Sequence, residues 1–224
     1  MRDADVRAAL VLDIEKRHAG RRYLLVPEVD VRWSVPARID ALMIADRLTA
    51  FEIKSQSDSL ARFPRQVSAY EAVAERAALV LTARHVASGL RMAPDWWSVW
   101  LAENSSGQVK LRRIRGGALN PSVNPLAVLS FMPRDALVAA LRQVGERDAT
   151  RLPVDSMRIR LADAVPRPML MRIARSAMLA RNDWRRRALL PRIEQRECEL
   201  SKDHKVPGGG GGGGLASWRA TREK

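Results

Sequence analysis

The chain has 224 residues, 46% of them hydrophobic, with 39 Lys+Arg against 25 Asp+Glu and a formal net charge of +14. That length allows one full core plus an appendage. No stretch approaches the roughly 20 apolar residues of a membrane span, and the acid-bearing start "MRDADVRAAL" lacks the apolar run of a signal peptide. A single cysteine, Cys198, excludes an internal disulfide and a Cys-rich zinc site. A cytoplasmic protein is the expectation.

Asp3 to Arg17 has helical spacing through Val6, Leu10 and Ile14, and Gly20 lies where the helix would end. "YLLVPEV" (Tyr23 to Val29) reads as a first strand, with Pro27 placing its end at an edge or bulge. "RIDALMIADRLTAFEIKS" (Arg38 to Ser55) reads as two strands joined by a turn at Ala45-Asp46-Arg47. Next, Leu60, Phe63, Val67, Tyr70 and Val73 recur at helical spacing, and Pro64 suits a first helical turn. "ALVLTA" (Ala78 to Ala83) fits a buried strand and "HVASGLRMA" a short helix. "WWSVWLAE" and "QVKLRRI" read as a last pair of strands. The order α-β-β-β-α-β-α-β-β predicts an α/β fold, a mixed sheet flanked by helices. Beyond Gly117 the pattern turns helical, with expected helices at Pro133–Val144, Ser156–Ala164, Pro168–Ala180 and Asn182–Ile193. Seven glycines (Gly208 to Gly214) then behave as flexible linker. The expected division is a core over residues 1–117, a helical extension over 118–194 and a disordered, basic, Gly-rich tail over 195–224.

Charge is uneven along this plan. Residues 1–150 hold 22 Lys+Arg and 17 Asp+Glu; residues 151–224 hold 17 and 8. The asymmetry points to a polyanion partner, nucleic acid before membrane, and to phosphate contacts made by the tail. The competing reading is an Arg-rich composition with a solvated tail.

The chemistry sits in the hairpin. Strand interiors disfavour Asp, Glu and Lys, and buried charge is costly unless paired or bound to a metal. Yet Asp40, Glu52 and Lys54 lie among apolar strand residues. Glu52 and Lys54 are two apart and share a face. With a tight turn at Asp46, Asp40 comes close to Glu52. Mg²⁺ (or Mn²⁺) would answer the cost, because such a cation takes one or two carboxylates plus water and phosphate oxygens. The chain holds only 6 Lys against 33 Arg, so a lysine inside a strand supports a chemical role. The competing reading is a cross-strand salt bridge at a sheet rim.

"RID", then "EIKS" on the next strand, a helix carrying "RQVSAY", and "ALVLTARH" together resemble the PD-(D/E)XK (restriction-endonuclease-like) nuclease superfamily. More narrowly, "EIKSQSDSLARFPRQVSAY", "PDWW" and "RNDWRRR" are similar to a bacterial and phage family labelled by an "sce" locus tag. More distantly they resemble MmcB-type proteins assigned to DNA repair. The resemblance covers about Met1 to Arg187. It implies a Mg²⁺-dependent nuclease acting on DNA phosphodiesters. Asp40 and Glu52 would be metal ligands and Lys54 the catalytic lysine. Glu28 would be the upstream acid, with Glu15 as the alternative. Gln66 and Tyr70, four apart on one helix face, match the Gln-x-x-x-Tyr pair of RecB-like members and would bind substrate or a neighbouring catalytic group. A core aromatic is the competing reading for Tyr70. Arg38 and Arg65 are candidates for backbone phosphates. Ile39 stands where the name-giving motif has proline. The rival functional reading is a catalytically silent nucleic-acid-binding or interaction module on the same fold.

Overall fold

The computed structural model describes residues 1–192. In chain order the elements are α1 (Asp3–Arg17), β1 (Tyr23–Val31), β2 (Ala37–Ile44), β3 (Leu48–Lys54), α2 (Phe63–Val73), β4 (Arg76–Thr82), α3 (Val86–Met92), β5 (Ser98–Ser105) and β6 (Gln108–Arg115). They are followed by α4 (Pro125–Leu129), α5 (Arg134–Gln143), α6 (Val154–Ala164), α7 (Arg167–Ala180), α8 (Asn182–Arg187) and β7 (Leu190–Arg192). The strands form one sheet in the order β6-β5-β4-β3-β2-β1-β7. β3, β4 and β5 run parallel and the other pairs antiparallel. The fold is therefore α/β, with a mixed sheet flanked by helices.

Alternation along the strands divides the apolar residues between two faces. One face takes α1: Val6, Leu10 and Ile14 pack on Leu25, Met43, Phe51, Ile53 and Val80. The other takes α2 and the later helices: Phe63, Tyr70, Leu129, Leu137, Leu161 and Met178 join Leu42, Leu48, Leu79 and Trp97. The sheet is thus the middle of three layers. Residues 1–192 make one compact unit, and Gly117 marks a change from strands to helices within it. Just past that change, the Asn120 side chain donates to the carbonyls of Glu71 and Ala74, both at 2.8 Å. The expected tail lies outside the described residues.

Two local features depart from the sequence reading. The helix expected to run from Asn182 to Ile193 ends at Arg187, and Leu190–Arg192 pairs antiparallel with Tyr23–Leu25. Pro191 explains the stop: it has no N–H for the helix and disfavours helical geometry in the residue before it. The short helix α4 was not anticipated. Its signal was present in Asn124-Pro125, for Asn124 accepts from the N–H groups of Leu126 and Ala127, and proline occupies the first turn.

Glu75, between α2 and β4, ties the layers together. Its carboxylate accepts from Leu48 N at 2.9 Å, Arg47 at 3.2 Å and Arg175 of α7 at 2.8 Å. Both Glu75 and Arg175 are largely buried. Glu75→Ala would strand a guanidinium and a strand N–H together. Urea unfolding should show a loss of about 3–5 kcal/mol; a loss below about 1 kcal/mol would mean that the pair acts as an exposed one.

Candidate active site

The site forms where the β2–β3 ladder opens. The turn Ala45-Asp46-Arg47 closes the hairpin, and pairing runs from Ile44↔Leu48 to Ala41↔Phe51. One step further, Asp40 stands opposite Glu52, but the strands part. Asp40 Oδ2 instead accepts the Ile53 N–H at 2.8 Å. The parting coincides with a break in alternation on both β1 and β2. Leu24, Val26, Val29 and Val31 all reach the same core, as do Ile39 and Leu42. The break falls at Pro27-Glu28 and Asp40-Ala41, where Pro27 pairs with Ala41 and Glu28 has a left-handed φ of 50°. Proline supplies no ladder donor, so the irregularity has a local cause.

Glu52 and Lys54 lie on the α2 side of the opening. Their side chains are 1% and 8% exposed, and Lys54 Nζ stands 2.5 Å from Glu52 Oε1. That oxygen is buried, and the Lys54 ammonium is its charge partner. Lys54 Nζ donates to Gln66 Oε1 at 3.1 Å. The Tyr70 hydroxyl lies 2.5 Å from Glu52 Oε2 and 3.2 Å from the Phe51 carbonyl oxygen, and it accepts from the Asp40 N–H at 3.3 Å. Gln66 and Tyr70 therefore reach the site from one face of α2, one to each charged partner. Tyr70 is also a core aromatic, fully buried with its ring 5.1 Å from that of Trp97. Both readings of this residue hold together: the ring packs and the hydroxyl serves the site.

Asp40 is approached from the other face. Arg7 of α1 donates to its carbonyl at 3.1 Å and to Oδ1 at 3.4 Å, while Arg7 Nε holds Asp3 at 2.5 Å. Sequence reasoning missed Arg7. An Asp3–Arg7 pair at i,i+4 reads as an ordinary surface pair, and its reach to β2 depends on how α1 lies on the sheet.

Burial pushes the Asp40 carboxyl above the ordinary range, despite the Ile53 N–H and Arg7. Burial also pushes Glu52 up, with the Asp40 charge second, against Lys54 and Tyr70. The Tyr70 hydroxyl is raised well above its ordinary value, by burial first and the Glu52 charge next. Two carboxylates thus sit close enough to repel in a dry setting.

Glu28 does not join this cluster. Its side chain is 54% exposed and lies 3.7 Å from Arg38. The left-handed backbone at Glu28 and its proline neighbour account for its departure from the strand pattern. Glu15 lies eight residues along α1 from Arg7, about 12 Å at helical rise, toward the other end of the helix. Arg38 is exposed and shared with Glu28; Arg65 is exposed beside Gln66 on α2. His85 is buried, with Nε2 3.1 Å from the Ser55 carbonyl oxygen. It supports the turn after Lys54, where Ser55 donates from its N–H and hydroxyl to Asp58 at 2.7 and 2.6 Å. Among the described residues no three His, Cys, Asp or Glu side chains group as a metal cage. The donors on offer are Glu52 Oε1, which Lys54 now holds, and the lightly held Asp40 Oδ1. That set fits a hard cation which completes its shell with water and substrate oxygens.

The chain matches the family model described as Bacteriophage P4 protein cII over residues 1–203. It belongs to that family. Protein cII of Enterobacteria phage P4 is 26% identical over 161 residues, which make up 71% of this chain and 60% of that protein. This cII family member therefore spans less than two thirds of that relative's length. The family match runs through the sheet and the helices beyond Gly117 alike. Among solved structures, the SPO1766 protein of unknown function from Silicibacter pomeroyi superposes with a TM-score of 0.43 at 14% identity, over 68% of this chain and 96% of that one. Among the described residues no helix is long and apolar enough to cross a membrane.

The raised carboxyls fix the sign of a pH effect. A carboxyl whose folded pKa exceeds its unfolded value contributes stability that is full below about pH 4 and is lost as pH rises through the raised value. In EDTA, Asp40→Asn should melt level with wild type near the ordinary carboxyl pKa and above it at neutral pH. Mg²⁺ at about 100 times its Kd should stabilise wild type by about 2.7 kcal/mol and leave the variant unmoved. A simple salt bridge predicts the reverse: a variant that melts far lower in EDTA, beside a wild type indifferent to Mg²⁺.

Proposed function

We propose that this protein is a metal-dependent nuclease on a PD-(D/E)XK-like core, hydrolysing phosphodiester bonds of nucleic acid, DNA first. The observation that carries the reading is the buried Glu52–Lys54 pair with the half-buried Asp40 beside it at an opened ladder. A fold does not keep two repelling carboxylates dry without compensation. A divalent cation such as Mg²⁺ or Mn²⁺, held by Asp40 and Glu52, would supply Lewis acidity toward the scissile phosphate.

The remaining residues have separable tasks. Lys54 carries three donors on a flexible stem, so it can turn from Glu52 toward an attacking water or a phosphate oxygen. Gln66 holds the Lys54 ammonium in place at 3.1 Å. Tyr70 fixes the Glu52 carboxylate through Oε2, so that Oε1, now paired with Lys54, would be the oxygen offered to a ligand once Lys54 turns away. Arg7 orients Asp40 from the opposite layer and keeps one of its oxygens engaged only weakly. Gln66 and Tyr70 are therefore positioning residues.

The test is divalent-dependent cleavage of plasmid DNA by the purified chain. Lys54→Ala should keep the fold, because Glu52 already holds its proton more tightly than usual and can become neutral when its partner leaves. Cleavage should fall by about 10²–10⁴-fold, with circular dichroism unchanged. Undiminished cleavage in a folded Lys54→Ala protein would remove this site from the reaction. Metal-dependent melting with no cleavage of any nucleic acid would favour a silent binding module.

A further inference from the structure

The net charge belongs mainly to one folded segment. Residues 151–192 hold 11 Lys+Arg and 3 Asp+Glu, whereas residues 193–224 hold 6 and 5. The excess that a coarse division assigned to the tail thus lies over α6, α7 and α8. Several of these arginines serve the fold. Arg175 holds Glu75, Arg167 donates to the Val123 carbonyl, and Arg181 is shared between Asp183 and the Phe131 carbonyl. With three acids available, the segment still keeps a strong positive balance.

That balance converges on one recess of about 460 Å³ beside the end of β1. Its lining brings Arg32, Arg158, Arg181 and Arg187 together against a single carboxylate, Asp30. Arg158 Nε is buried without a hydrogen-bond partner, although its Nη1 meets Asp155 at 2.6 Å. Arg32 reaches Asp30 only at 4.0 Å, with a side chain 88% exposed. Arg187 lines a second recess of about 440 Å³ together with Arg7 and Glu28, and Arg7 is the residue that holds Asp40. Cationic groups therefore follow one another from α6 to the opened ladder. A run of arginines along a groove suits a repeating anion better than a single one.

We propose that the α6–α8 recess is a nucleic-acid docking surface that grips the phosphodiester backbone and leads it past Arg187 and Arg7 to Asp40 and Glu52. Only the destination of the strand rests on the nuclease reading; the grip itself does not. The contacts are to backbone phosphates, which position a strand without reading its sequence.

Fluorescence anisotropy with a labelled DNA duplex and the matching single strand, in EDTA over a salt series, tests the surface with cleavage switched off. Each phosphate contact should contribute about 0.7–0.9 to the slope of log affinity against log salt. The full chain carrying Arg32→Gln and Arg158→Gln should lose about two such contacts and weaken by about tenfold or more at moderate salt. Thermal melts should show that the fold is retained. The full chain carrying Lys202→Gln, Lys205→Gln and Arg219→Gln should keep its slope. An unchanged slope in the folded arginine variant overturns the proposal, as does a slope lost in the Lys202, Lys205 and Arg219 variant. A wild type without salt-dependent binding to either strand form overturns it too. Binding as expected without any cleavage would leave this surface standing and end the nuclease reading. Cleavage together with an unchanged slope would do the reverse.

Discussion

The hydrogen bond from the Ile53 N–H to Asp40 Oδ2 is the interaction on which the site depends. In a continuous ladder that N–H would belong to a neighbouring strand. Here a side chain takes it, so the hairpin can separate without leaving a buried donor unpaired. Separation gives room to the two acids, which stand on neighbouring strands of one sheet and are reached by helices from opposite layers. It also accounts for the Tyr70 hydroxyl, which accepts the Asp40 N–H released at the same point. Backbone groups freed by the opening are thus satisfied by Asp40 and Tyr70, the side chains that then build the site.

Burial has a second effect. Glu52 and Lys54 are almost wholly enclosed, so their charges act in a medium that screens poorly. A ligand that replaces the Lys54–Glu52 contact must offer more than one monovalent ammonium does. On the metal-dependent reading, divalent charge would meet that condition.

Much of this was legible in the sequence. Alternating apolar residues and the Ala45-Asp46-Arg47 turn located β2 and β3, and the two-residue spacing put Glu52 and Lys54 on one face. Helical spacing gave α1 and α2, and with α2 the joint approach of Gln66 and Tyr70. What could not be read follows from tertiary placement. Arg7 meets Asp40 across two layers, and nothing local to α1 marks it. Glu28 looked suitable as an upstream acid at the end of the first expected strand, but the left-handed turn after Pro27 moves it to the surface. A helix through Ile193 followed from the helical pattern beyond Gly117, while Pro191 and pairing with β1 favoured a strand. The charge excess was visible as a total, yet only the fold shows which arginines are spent on carbonyls and which line a groove.

The short strand β7 has a consequence for how copies of this chain behave in crowded solution. β1 has nine residues and β7 pairs with the first three. Among the described residues no strand pairs with the remainder, and such an edge ordinarily invites another strand to add itself. Three features blunt that edge. Pro27 offers no N–H, Glu28 bends the backbone out of line, and Arg187 occupies the carbonyls of both residues at 2.9 and 3.0 Å. At the opposite edge, β6 carries Lys110, Arg112 and Arg113, so a second copy would bring like charges together. The irregular backbone that admits Asp40 to the site therefore also helps keep the sheet from growing into a fibre.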